Sequence, residues 1–508
     1  MFIEDFESEE NTKLIPTYKK DLDIDKISKK LQDYCLTRHG KRLLNKQILF
    51  SNKKEGKEFK NRLKKFIKSG KENIDKTIKY LMEFKKHEDN IIYLLNMNDD
   101  QKEIFSNLIY DIPYISDFMN NQNDFLTWVM RYKIYINPLF IILGPFMSVI
   151  MLVFYSWYNN LKIDVIFLIK MLITAIAGSW ELASPYSIIA IGYVVLYIYS
   201  CYNSVMESVN IYTNLGVLHE KIKSVKWLNE EIPLTICDTD NLISPKGNII
   251  KDYYNLVYKN IIIKCKIKVL EAAEMDCLVA CYKMLDKGNY SFAKKGKKLK
   301  IKQMFNPLIY INIVNDYNGK SSVITGVNAS GKTSYLKNIG ICECLSQSLG
   351  IVPAQKYVTP GFNIYTVFRV TDVINEASLF EAESTRYFEL IKKTEADQNT
   401  PNLILLDELL SSTNFVEGYS LAKVILERLI KNKLNTVIFT THFHGLASIK
   451  IQKLCFSNDN SYKVNKGINR EYYAIELLKN KDWDKEIIKR ATAEKNKLVR
   501  EIDNIFFK

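Results

Sequence analysis

The spacing of hydrophobic positions changes several times along this chain. From Leu22 to about Tyr135 apolar residues recur every three to four positions among charged ones, as in Leu63–Phe66–Ile67 and Ile78–Leu81–Met82. That period predicts long amphipathic helices. Residues 136–203 break the pattern: Pro138 to Tyr158 and Ala183 to Tyr202 contain no charged residue. At about 1.5 Å per residue each run is long enough to cross a hydrocarbon core. Trp157, Tyr158 and Tyr202 stand near the run ends, where interfacial aromatics belong. Ile163 to Ile176, between them, contains Asp164 and Lys170 and predicts an interfacial or re-entrant piece rather than a third span. The two runs predict a transmembrane hairpin with both flanks on the cytoplasmic side, the lysine-rich one included. The competing expectation is a buried helical hairpin inside an all-helical domain.

Residues 204–300 return to helical, charged text. From 301 to 451 short β-rich runs alternate with helices, with Val323-Ile-Thr325, Leu403-Ile-Leu-Leu406 and Thr436-Val-Ile-Phe-Thr440 as buried-strand candidates. This alternation predicts an α/β domain with a mainly parallel sheet. The expected division is therefore a polar tail (1–23), a helical core and lever in two parts (24–135 and 204–300), the apolar hairpin (136–203), the α/β domain (301–451) and a helical tail (452–508).

Composition adjusts this picture in three ways. The 508 residues allow two to four domains, and 47% hydrophobic against 25% charged residues argues against global disorder. The net charge is +14. Lysines cluster in the first half, at Lys53-Lys54, Lys57, Lys60, Lys64-Lys65, Lys68 and Lys71, which suits nucleic acid or an anionic membrane surface. The nine dispersed cysteines lack zinc-site spacing and are expected to be reduced, buried thiols. Met1 to Ser8 is acidic, unlike the start of a signal peptide.

The chemistry is concentrated in the α/β region. Gly326-Val-Asn-Ala-Ser-Gly331-Lys332-Thr333 fits G-x-x-x-x-G-K-[ST], preceded by the strand-like Ser322 to Thr325 and followed by a helical run. In that setting backbone N–H groups wrap nucleotide phosphates, Lys332 reaches the β- and γ-phosphates and Thr333 holds Mg²⁺. Asn402 to Leu406 is a hydrophobic strand ending in Asp407-Glu408. Asp407 is the expected second Mg²⁺ ligand, and Glu408 the base that orients and deprotonates the attacking water. His442, after the strand ending in Thr440-Thr441, is the candidate γ-phosphate contact. The expected cofactors are ATP and Mg²⁺.

With these motifs in hand, the C-terminal half resembles the ATPase domain of the MutS family of DNA mismatch-repair and related ATPases. The family's phosphate loop is matched by Asn328-Ala-Ser330-Gly331-Lys332-Thr333-Ser334-Tyr335, and its Val-Pro-Ala segment by Val352-Pro353-Ala354. Its signature segment is matched by Ser384-Thr385 with Glu389, and its later motifs by Asp407-Glu408, Thr413, Gly418 and Thr441-His442. Thr37-Arg-His-Gly40-Lys-Arg42-Leu43-Leu44 is similar to the opening of the family's core and lever, and Tyr462 to Ala491 to its dimerising tail. The resemblance implies an ABC/MutS-like P-loop fold beside an all-α core and lever. It also implies a dimer, homotypic in our reading, through the ATPase domain and tail, in which Ser384 reaches the other subunit's nucleotide.

Departures shape the functional expectation. With only residues 1–23 ahead of the core, a mismatch-reading and a connector domain are expected to be absent, and Phe2-Ile3-Glu4 is not expected to act as a mismatch wedge. The family's Gly-Arg-Gly-Thr-Ser reads Leu410-Ser-Ser-Thr413-Asn414, and its His-Pro reads Asn306-Pro307. The apolar hairpin stands where the family's DNA clamp would be. The leading expectation is a dimeric, membrane-attached MutS-like ATPase that binds DNA through its basic helical region. The alternatives are a soluble mismatch- or structure-repair ATPase whose hairpin is core, and a membrane-remodelling or transport ATPase. The last lacks a Leu-Ser-Gly-Gly-Gln-type segment, since Leu345-Ser346-Gln347 has no glycines.

Overall fold

The computed structural model describes residues 15–506 except 107–108, 110–111, 113, 160–165, 167–184, 232–247, 259–260, 310–312, 369–378, 397–398, 411–412, 458–460, 470–473 and 480–482. The described chain is mostly helical with two sheets, consistent with a multidomain α/β protein. It divides into two compact units, residues 1–82 with 272–508 and residues 83–271.

The first unit opens with α1 (Thr17–Asp21), α2 (Ile24–Leu31), α3 (Arg38–Phe50) and α4 (Lys53–Lys68). Part of the expected polar tail is thus helical: Leu22 is fully buried, and Lys19 donates to the carbonyls of Ile48 and Leu49 at 3.0 and 2.7 Å. Those carbonyls lie in the last turn of α3, where helix acceptors lack intrahelical partners. Thr37 caps α3, and Asn52 with Glu55 forms a capping box on α4. Asp276 receives the N–H groups of Leu36 and Thr37 and the Thr37 hydroxyl, so the resemblance segment beginning at Thr37 is fixed by a buried carboxylate.

Two sheets follow. One has the order β3-β2-β6-β1-β5, from β1 (Ser291–Lys295), β2 (Lys300–Met304), β3 (Asn315–Tyr317), β5 (Ile351–Val352) and β6 (Ala354–Thr359). The other has the order β11-β10-β4-β9-β8-β7, from β4 (Ser322–Thr325), β7 (Asn363–Val367), β8 (Asn402–Leu406), β9 (Asn435–Thr440), β10 (Gln452–Phe456) and β11 (Val464–Lys466). In this six-stranded sheet β10, β4, β9, β8 and β7 run parallel, and only β11 is antiparallel. Every residue of β4 and β8 is buried, as expected for central parallel strands covered on both faces. The helices α13 (Lys332–Ser348), α14 (Leu379–Ala396) and α15 (Phe415–Lys431) alternate with these strands, and α16 (Ala474–Lys479) and α17 (Lys485–Phe506) close the chain.

Between α4 and β1 lie α5 (Lys71–Leu95), α6 (Asp99–Ser106), α7 (Ser116–Asn121), α8 (Asn123–Arg131), α9 (Asn137–Tyr158), α10 (Pro185–Glu231), α11 (Ile249–Tyr258) and α12 (Ile261–Asp286), and the second unit, drawn from these, is helical. Leu126, Val129, Leu218, Ile222, Leu228, Tyr253 and Leu256 are among its buried residues. Here the structure corrects the sequence reading. Among the described residues no helix is long and apolar enough to cross a membrane, which overturns the transmembrane hairpin, the membrane attachment and the cytoplasm-facing arrangement. The first apolar run forms one helix, Asn137–Tyr158, but Asn137, Pro138, Gly144, Pro145, Ser148 and Ser156 punctuate it. The second run enters the long helix Pro185–Glu231 without a break at its polar end. Most of Ile163 to Ile176 lies outside the described residues. Nor is the first run core: Met151 is 67% exposed and Trp157 72%.

Candidate functional site

The phosphate loop joins β4 to α13, and its backbone explains its sequence. Gly326 (φ +152°) and Gly331 (φ +101°) hold positive φ, and Ala329 joins them at +62°. A Cβ on Gly326 would stand 2.9 Å from Ser330 Oγ, and Gly331 is the residue from which α13 starts. Glycine meets both demands without the steric cost of a side chain. Lys332 is buried, and its Nζ donates to the carbonyls of Gly326 and Val327, both at 2.9 Å. Burial pushes its ammonium below the ordinary range, while Glu408 and Asp407 pull the other way.

Parallel pairing brings the later motifs to the same end of the sheet, because β4, β8 and β9 are in register side by side. The Thr333 hydroxyl donates to Asp407 at 3.0–3.1 Å. Thr440, the last residue of β9, donates to Asp407 Oδ1 at 2.6 Å and accepts the Glu408 N–H at 3.0 Å. Burial raises the Asp407 carboxyl pKa, and the Thr440 and Thr333 hydrogen bonds oppose that rise. His442 Nε2 lies 2.9 Å from Glu408 Oε1. Glu408 and Leu410 hold positive φ (+53° and +50°), a conformation that non-glycine residues keep only where surroundings impose it.

A cavity of about 380 Å³ opens onto this array. Lys332, Thr333 and Glu408 line it, as do Asn306, Ile309 and Tyr462. The donor set fits a nucleoside triphosphate with a hard cation. Ser330 Oγ and Asn338 Oδ1 are buried without a partner, and Asn338 faces the cavity. Thr333 and Asp407 offer the oxygen ligands that Mg²⁺ prefers, and the metal's chemistry there would be to neutralise charge on the phosphates.

The structure therefore brings together Lys332, Thr333, Asp407, Glu408 and His442, with Asn328 and Ser334 in the cavity wall. It sets Ser384 and Thr385 apart: both lie on α14, outside the cavity lining, and the Thr385 hydroxyl donates to Glu381 O of its own helix.

Five contributors escaped the sequence reading. Thr440 was absorbed into a strand. Glu383 on α14 accepts the Leu410 N–H at 2.8 Å, tying that helix to the strained loop after Asp407-Glu408. Arg386 on α14 pairs with Asp21, and Asp21 also accepts from Thr366 Oγ1 at 2.6 Å. Asp23 pairs with Lys337 of α13. Residues 21–23 thus contact the helix after the phosphate loop and the Ser384 helix together. No local motif marks such long-range pairs, although the acidic residues flanking Leu22 on either side are plain in the sequence.

Residues 322–499 match the family model for MutS domain V. "MutS protein homolog 4" of Candida albicans is 29% identical over 221 residues, 41% of this chain and 27% of that protein. "DNA mismatch repair protein MutS" of Prochlorococcus marinus is 30% identical over 197 residues, 36% of this chain and 21% of the relative. "DNA mismatch repair protein MSH3" of Saccharomyces cerevisiae is 26% identical over 266 residues, 46% and 26%. The chain therefore spans about a quarter of the length of these curated relatives.

Proposed function

We propose that this chain, whose domain V and relatives support membership of the MutS family, is an ATPase that couples nucleotide turnover to a change of shape in a dimer acting on DNA. The observation that carries the reading is the convergence of Lys332, Thr333, Asp407 and Glu408 on one cavity. In this reading Gly326, Asn328, Ser330, Gly331 and Ser334 cradle phosphates, and Lys332 neutralises them. Glu408 takes the proton of the attacking water, and its pairing with His442 orients it for that task. Ser384 acts across the dimer interface on the other subunit's nucleotide. Its position on α14, away from its own chain's cavity, is consistent with that role.

Of the DNA readings, a mismatch- or structure-repair ATPase is favoured over a membrane-attached one, since its relatives carry mismatch-repair names and no described helix is a span. The test compares two variants. Lys332→Ala should abolish binding of a fluorescent ATP analogue. Glu408→Ala should bind it and fail to turn over; full turnover in that variant would remove Glu408 as the base. The DNA arm is read by whether the ATPase rate of the intact chain changes with branched or mismatched duplex, and an unresponsive rate would sink it.

A further inference from the structure

We propose that the outer face of the five-stranded sheet, continued by the lysine face of α4, is a sequence-independent contact surface for the phosphate backbone of duplex DNA. The inference deepens the DNA-acting reading by naming the surface, and it is separable from the ATPase chemistry.

The sheet's two faces differ in kind. Ala293, Ile301 and Tyr357 pair side by side and are buried on the inner face. The register places Lys294 beside Val358, Val358 beside Lys300, and Lys302 opposite Lys356 on the other face. All four lysines are exposed, as are Lys297 and Lys298 in the β1–β2 turn. Asp316, ion-paired with Lys302, is the acidic neighbour. Helix α4 extends the surface. Lys64 Nζ lies 5.7 Å from the centre of the Phe292 ring in β1, and Lys60 donates to the Ala293 carbonyl. Lys57, Lys60, Lys64 and Lys68 recur at helical spacing along one stripe. The Lys60 ammonium is pushed down by burial first and by Lys64 second, which registers the crowding of like charge.

Two ordinary explanations fit less well. Lysines protect exposed sheet edges, but β2, β6 and β1 are the three inner strands of this sheet. Like charges directly opposite across strands destabilise a sheet, and the Asp316 pair offsets only part of that cost where Lys302 faces Lys356. A polyanion would relieve that repulsion. A lipid surface is the rival partner, yet it draws on apolar insertion as well as charge. No large hydrophobic residue of 291–304 or 354–359 is exposed. Phosphate contacts need charge alone and carry no sequence information.

The experiment measures binding of the full chain to a labelled DNA duplex by fluorescence anisotropy across a salt series. Lys294→Ala, Lys300→Ala, Lys302→Ala and Lys356→Ala are combined in one variant. A second variant removes equal charge elsewhere (Lys392, Lys431, Lys433 and Lys450 to Ala), and a third changes the four sheet lysines to Arg. We expect the first to lose at least about tenfold in affinity on every sequence tested, with its log–log salt slope shallower by up to about 3.6. The second and third should stay near the parent, and basal ATPase should be unchanged in all three, reporting intact folding. Equal losses in the first and second variants would overturn the proposal. So would tighter binding of the parent to phosphatidylserine vesicles than to duplex. Loss of ATPase in the parent would fail the preceding reading without touching this one.

Discussion

The two sheets of the first unit use the same strand chemistry for opposite ends. The six-stranded sheet is parallel but for β11, its central strands are covered on both faces, and its polar groups gather at strand ends: Thr333 after the loop that leaves β4, Asp407-Glu408 just past β8, and Thr440 closing β9. The five-stranded sheet is mostly antiparallel, buries one face and spreads lysines over the other. A parallel sheet buried on both sides can expose chemistry only at its rim, so its functional groups converge. A half-open sheet can expose a whole face, so its groups disperse. Convergence suits a reaction at one phosphorus centre, whereas dispersion suits a long charged partner. The lesson is that burial topology, more than residue type, sorts what each sheet can do.

That contrast can be broken by experiment. The largest effect should come from Glu408→Gln, which keeps the side chain's size and removes its basicity. Steady-state turnover should fall by roughly 10²–10⁴-fold, the usual share of a general base, with DNA affinity unchanged. A matching fall in DNA affinity would erase the separation of the two sheets.

Next in size is Arg386→Ala. Its partner Asp21 is little exposed, and losing a hydrogen bond to a charged group costs about 1.5–3 kcal/mol. We expect kcat to drop while the KM for ATP stays near the parent value, because α14 rather than the phosphate cavity is disturbed. Arg386→Lys should recover part of the loss. A rise in KM alone would place Arg386 with the nucleotide instead.

Smallest is the effect of Asp407→Asn on the nucleotide-free protein. The Asp407 carboxyl is raised above its ordinary value, chiefly by burial. Protonated Asp407 therefore contributes stability below the ordinary carboxylate range, and that contribution is lost as pH rises through the raised value. The Asn variant should melt a few degrees higher than the parent at neutral pH, and the gap should close on acidification. A lower melting temperature at neutral pH would show that the Thr333 and Thr440 bonds outweigh the burial cost.

How legible all this was differs by region. The phosphate loop was readable because its requirements are local: Gly326 and Gly331 supply backbone angles that few other residues tolerate, and Lys332-Thr333 follows in fixed sequence. The α/β alternation was readable because a buried parallel strand such as Leu403 to Leu406 is a continuous apolar run. The run at Pro138 misled for the opposite reason. A charge-free apolar length in the sequence resembles a membrane span whatever the folded helix does with it.

The sequence by itself determined the phosphate loop, the Asp407-Glu408 strand end and the order of helical and α/β regions, because each depends on neighbours a few residues apart. Only the tertiary structure decided that Thr440 bridges Asp407 and Glu408, that Asp21 and Asp23 reach α14 and α13, and that Lys302 faces Lys356. Those relations join residues from 32 to 365 positions apart, and strand register and helix packing set them. Hydrophobic spacing carries no record of which strand lies beside which.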